Sequence, residues 1–168
     1  MIPPLWREEI YHPLVVHFPI GVLFAATLLY AVAALSARRE GAHGVRVGGR
    51  VLLAIGVAFA WAAIYTGNLA EDVVNRVICD PTVTHRHEEL AEYAAIAASI
   101  ILACDLVAWR LHLKTPRASW LRFWPAIVSV LLLGTYGLLL RAAHLGASLV
   151  FQQAAGVHRP SEACTEFE

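Results

Sequence analysis

The sequence predicts an all-α integral membrane protein, folded as an up-down-up-down four-helix bundle. Three observations carry that prediction. Of 168 residues, 58% are hydrophobic and only 15% charged, against about 45–50% and 25% in soluble domains. Four long runs carry no charge or a single acid. The connections between them are short, and on one side they are basic.

Pro13 to Ala37 holds no Asp, Glu, Lys or Arg. A span needs roughly 20 apolar residues, so helix 1 is expected over about 14–37. A cleaved leader is not expected there, because the run far exceeds a signal h-region of about 7–15 residues and only Arg7 precedes it. Val51 to Ala70 is uncharged and predicts helix 2 over 48–70. The stretch between Glu92 and Arg110 is broken only by Asp105 and predicts helix 3 over 89–111. Phe123 to Leu140 is again uncharged and predicts helix 4 over 122–147. Short connections make consecutive helices antiparallel neighbours, so the chain 1–168 is expected to form one four-span domain. No internal repeat and no low-complexity tract is evident.

Orientation follows from loop charge. Arg38, Arg39, Arg46 and Arg50 lie between helices 1 and 2, and Arg110, Lys114, Arg117 and Arg122 between helices 3 and 4. Only Arg7, Arg76, Arg86, Arg141 and Arg159 fall on the other side. The positive-inside rule then puts both basic loops in the cytoplasm and both termini in the periplasm. Trp109, Trp120 and Trp124 suit an inner aromatic belt, and Trp6, Tyr11, Tyr65 and Tyr93 an outer one. Formal net charge is zero, which removes nucleic acid as a partner because no basic surplus exists to neutralise phosphates. No GxSxG, phosphate loop, HExxH or CxxCH is present, so hydrolase, nucleotide and covalent haem readings have no support.

Eight histidines are the informative feature. His12, His17, His85, His87, His144 and His158 all fall on the outer side. His17 opens helix 1, Glu71 closes helix 2, His87 opens helix 3 and His144 lies in the last turns of helix 4. Antiparallel topology brings these four to one end. Small residues accompany them at helical spacing: Gly21 after His17, Gly67 before Glu71, Ala91 after His87, and Gly137 before His144. Small-residue faces are also common packing surfaces between membrane helices. Imidazoles and small residues sharing faces are what a haem b held by two histidines requires, with Arg141 and Arg86 placed to meet its propionates. Diagonal helices favour His17 with His87 as ligands, and His144 and His12 as alternative or additional ones. One haem is expected rather than two. Without porphyrin, the same histidines are expected to hold a metal ion such as iron, copper or zinc.

The segment His12-Pro13-Leu14-Val15-Val16-His17-Phe18-Pro19-Ile20 resembles the HPxxVHFPI opening of a bacterial family of predicted membrane proteins, domain of unknown function 2231. His144-Leu145-Gly146-Ala147-Ser148-Leu149-Val150-Phe151, then Ala155-Gly156-Val157, resembles its closing stretch, with Ala147 replacing a second Gly and Phe151 a Tyr. The resemblance covers about residues 10–158. It implies four spans, and it implies that His12, His17, His87 and His144 are the characteristic polar positions. It supplies no activity.

Pro13 discourages helix at His12, and Pro19 suits a first helical turn, so the chain is expected to run along the interface and turn inward at His17. Cys79 and Cys164, both on the oxidising side, are expected to form a disulfide. Cys104 is expected to pack inertly. Asp105 is expected to pair with an arginine of the inner loops. The leading functional expectation is a b-type cytochrome subunit of a membrane redox complex in the bacterial inner membrane. It would relay electrons between the quinone pool and a periplasmic carrier. A purely structural subunit is the plainest alternative.

Overall fold

Backbone amides cannot be left bare in hydrocarbon, so a chain this apolar must close its hydrogen bonds within helices. A computed structural model describes residues 7–36, 41–114 and 122–157, and four helices account for nearly all of them. They are α1 (Glu8–Leu35), α2 (Ala42–Asn75), α3 (Thr82–Lys114) and α4 (Trp124–Gln153). Each is long and apolar enough to cross a membrane. Neighbours run α1–α2–α3–α4 and back to α1, so α1 faces α3 and α2 faces α4 across the diagonals. The architecture is an all-α four-helix membrane bundle.

The helices exceed the predicted spans, and the main excess lies at one end. There α1 starts at Glu8, α2 runs to Asn75, α3 starts at Thr82 and α4 runs to Gln153. At 1.5 Å per residue they are about 42–51 Å long, against about 30 Å of hydrocarbon. Hydropathy locates the edge of the hydrocarbon and not the end of a helix. The first charged residues therefore mark where lipid stops while the helices continue. The connection from α2 to α3 shrinks accordingly to six residues, 76–81.

The expected break at Pro13 is corrected. Pro13 and Pro19 both lie inside α1. A local preference against helix before proline yields here to a tertiary bond made by His12, described below. The His17 ring donates from Nδ1 to the Pro13 carbonyl at 2.7 Å.

Inside the bundle, Leu23, Ala26 and Tyr30 of α1, Leu53 of α2, Ala98 and Ile101 of α3, and Val128 and Leu132 of α4 form the core. Large apolar side chains such as Leu28, Ile100, Val130 and Leu133 are half or more exposed. They present the apolar exterior that lipid requires. Gly49 lies against the Tyr30 ring and Gly56 against Leu23, so the α1–α2 contact is close.

A regularity invisible in the residue types appears in the burial. Pro19, Leu23, Ala26 and Ala33 are buried in α1, and Ala94, Ala98, Ile101 and Ala108 are buried at one constant interval in α3. Leu53, Gly56, Ala63 and Ala70 of α2 likewise match Leu132, Thr135, Ala142 and Leu149 of α4. The second hairpin repeats the register of the first, contrary to the expectation of no repeat.

The turn into α3 is fixed by Asp80. Its Oδ1 accepts from the Thr82 hydroxyl at 2.7 Å and the Thr82 amide at 3.0 Å. The Thr82 hydroxyl first, then its amide, holds the Asp80 carboxyl below the usual carboxylate range. A depressed carboxyl stabilises above its unfolded value and loses that contribution as pH falls through its folded one. Amide-exchange protection at Thr82 is therefore expected to persist at neutral pH, to fall in acid, and to be lost at all pH in Asp80→Ala. Unchanged exchange in that variant would contradict the assignment.

Candidate functional site

His12 of α1 and His87 of α3 stand on diagonal helices with ring centres 5.8 Å apart and planes perpendicular. Both are half-buried. The His12 Nδ1 lies 2.9 Å from the Ala63 carbonyl of α2, and the His87 Nδ1 lies 2.7 Å from the Ala142 carbonyl of α4. A carbonyl oxygen can only accept, so Nδ1 of each ring carries the proton. In the neutral imidazole Nε2 is then a bare lone pair, and neither Nε2 has a hydrogen-bond partner among the described residues.

The helices that supply the carbonyls also supply the space. A Cβ on Gly67 would sit 3.2 Å from the His12 ring, and one on Gly146 would sit 3.1 Å from the His87 ring. Gly67 is one turn beyond Ala63, and Gly146 one turn beyond Ala142. Each half of the bundle thus repeats one device: an imidazole from the first helix of a hairpin lies across an Ala-x-x-x-Gly stretch of the second. Binding the second ring nitrogen to a carbonyl is how proteins fix the tautomer and orientation of metal-ligating histidines. One turn before His87, the Thr84 hydroxyl is buried with no hydrogen-bond partner among the described residues.

The structure brings His12, and not His17, against His87. The two histidines of α1 are five residues apart, about 140° around the helix. With His12 turned inward, His17 is exposed. His144 and Arg141 are exposed on α4, and Arg86 is exposed on α3. Gly21 and Gly137 are exposed with nothing within 4 Å of an added Cβ, so they do not border the histidine pair. His85 lies 3.6 Å from Glu89, and Glu71 accepts from Asn75 Nδ2 at 3.2 Å. Among the described residues no group of three or more His, Cys, Asp or Glu is placed to hold a metal ion. Cys79 is exposed, and Cys164 lies outside the described residues.

A second buried polar cluster occupies the other end. Asp105 is wholly buried and pairs with Arg50 Nε at 2.6 Å, as expected of an arginine from the first basic loop. It also accepts from the Tyr30 hydroxyl at 2.7 Å and from Trp124 Nε1 at 2.9 Å. Tyr30 and Asp105 are 75 residues apart, the same interval that separates His12 from His87. In each helix the two polar positions lie about five turns apart on one face.

The residues missed from the sequence are Ala63, Gly67, Ala142 and Gly146 as paired cradles. Their signal was the repeated Ala-x-x-x-Gly, together with the equal spacing of His12 to Tyr30 and His87 to Asp105. A family model described as predicted membrane protein (DUF2231) matches residues 10–159. No curated protein and no solved structure matches.

Proposed function

The chain belongs to this family of predicted membrane proteins, and from that premise we propose that it is a membrane-embedded electron-transfer subunit, of b-type cytochrome kind, with one haem b held between His12 and His87. The observation that carries the reading is the spacing of the two rings. Two imidazoles sharing one metal at about 2 Å per bond place their ring centres roughly 6 Å apart. His12 and His87 stand at 5.8 Å, with both Nδ1–H groups anchored to carbonyls and Nε2 left for a metal.

The donor count favours haem over a bare ion. Protein metal ions commonly take three or four side-chain ligands, whereas haem iron brings four nitrogens of its own and asks the protein for one or two axial groups. Two histidines meet that demand. Haem would supply one-electron transfer. The chain fixes the tautomer and orientation of both half-buried rings by backbone bonds. In this reading His17 and His144 are not ligands. The quinone pool, a periplasmic carrier and other redox-complex subunits are the proposed partners. The basic loops carry the proposed inner-membrane orientation, with the termini outward.

A reduced-minus-oxidised spectrum with pyridine haemochrome extraction tests this on the purified full chain. A b-type haemochrome is expected at one haem per chain. His12→Ala and His87→Ala, each still monodisperse on size exclusion, are expected to lose at least about tenfold in haem occupancy, while His17→Ala and His144→Ala keep it. Loss in His17→Ala with retention in His12→Ala would overturn the pairing. A flat spectrum with bound iron, copper or zinc would replace haem by a metal ion. No spectrum and no metal would leave a structural subunit.

A further inference from the structure

At the arginine end of the bundle, a cavity of about 40 Å³ opens beside the Asp105 cluster. It is lined by His43, Arg46 and Arg50 of α2, Trp109 and His112 of α3, and Trp124 of α4. A single water needs about 10–15 Å³, so the space accommodates a tetrahedral group of several heavy atoms. We propose that this cavity is a binding site for a phosphate oxyanion, supplied by the headgroup of an anionic phospholipid.

The donors there exceed the acceptors. Among the described residues Asp105 is the one carboxylate in the lining, and it already accepts from Tyr30, Arg50 and Trp124. Arg50 gives that carboxylate only its Nε and lays its guanidinium 5.0 Å from the centre of the Trp109 ring. Arg46 forms no ion pair among the described residues. The His112 Nδ1 is buried with no hydrogen-bond partner among the described residues, and such an atom in a native fold calls for a bound water or ion. His43 and Arg46 lie in the first turns of α2, a helix start with no acidic residue and no side-chain cap. Its positive dipole end favours an anion.

Position selects the source of the phosphate. The cavity lies near the ends of the spanning helices, beside the exposed Trp109 and Leu113, at the depth of lipid headgroups. Basic pockets between helices at that depth bind anionic headgroups. The lipid is always present there, whereas free phosphate must partition in from solution. This site is independent of the histidine pair.

Native mass spectrometry of the detergent-solubilised full chain tests the proposal, with phosphatidylglycerol, phosphatidylcholine and inorganic phosphate as probes. Phosphatidylglycerol is expected to be retained at least about tenfold over phosphatidylcholine. Arg46→Gln with His112→Gln is expected to abolish that preference. Lys114→Gln, which removes the same charge at the same end outside the lining, is expected to keep it. Arg46→Gln alone, at a half-buried position, carries the same test if the double variant does not fold. Equal loss in Lys114→Gln would reduce the preference to diffuse surface charge and overturn the site. Binding of inorganic phosphate without phosphatidylglycerol would overturn the lipid source. Retention of neither would overturn the proposal outright.

Discussion

Asp105→Ala is expected to destabilise the bundle by about 3–5 kcal/mol, because removing one partner of a buried pair leaves the other charge uncompensated. The carboxylate is wholly buried and holds three donors from three other helices: Tyr30 of α1, Arg50 of α2 and Trp124 of α4. Without it, a guanidinium, a phenol and an indole N–H all lose this acceptor. Asp105→Asn keeps the shape but turns a nitrogen donor toward other donors, so it too is expected to be costly. Arg50→Ala is expected to cost less, since Asp105 retains Tyr30 and Trp124. The double variant Asp105→Ala with Arg50→Ala is expected to be less destabilised than the two single effects added together. Thermal denaturation in one detergent checks the set. A change below about 1 kcal/mol in Asp105→Ala would show that the cluster does not hold the helices together.

The second large effect is expected at Gly56. A Cβ there would lie 2.6 Å from Leu23 Cδ2 and 2.8 Å from Leu23 Cγ, distances that require a shift. Leu23 is buried in the core, so it has little room to turn away. Gly56→Ala is expected to cost about 1–3 kcal/mol, the usual range for overpacking. Gly56→Val is expected to cost more. Leu23→Ala should relieve the Gly56→Ala clash, so that the pair costs less than the sum of its members. Gly21, Gly134 and Gly137 provide the contrast. Nothing lies within 4 Å of a Cβ at any of them, and alanine there is expected to be neutral or stabilising by up to about 1 kcal/mol, the helix preference of alanine over glycine. Comparable losses at Gly56 and Gly137 would mean that close packing of α1 on α2 is not what Gly56 provides.

The four spans were legible because lipid is a demanding solvent. It requires length and excludes charge, and both are readable without knowing any contact. The pairing of Asp105 with an arginine was legible for the same reason, since a lone carboxylate at that depth has few ways to be satisfied. The convergence of histidines at one end followed from counting helices. The identity of the pair did not follow, because a proline disfavours helix at the residue before it, whereas Pro13 lies inside α1. Once α1 runs through Pro13, His12 falls on the stripe of Pro19, Leu23, Ala26 and Tyr30, and His17 is carried to the outside. The repeated register was hidden because burial repeats while side chains differ: Leu23 answers to Ala98, and Gly56 to Thr135. Such a repeat is a property of volume and position, and composition does not record it.

The repeated register has a consequence for chemistry on the diagonal. Two like hairpins packed face to face approximate a symmetry axis, and on that axis a residue confronts its own counterpart. His12 meets His87, and Tyr30 meets Asp105. An identical pair of carboxylates there would repel itself in a medium that offers no screening. Imidazoles escape this penalty in their neutral form, and in the proposed reading two of them together would make a ligand set that neither half possesses alone. At the other axial position the symmetry is broken, with a phenol donating to a carboxylate. The bundle is self-matching where equivalent donors are useful, and self-complementary where a buried charge needs its opposite.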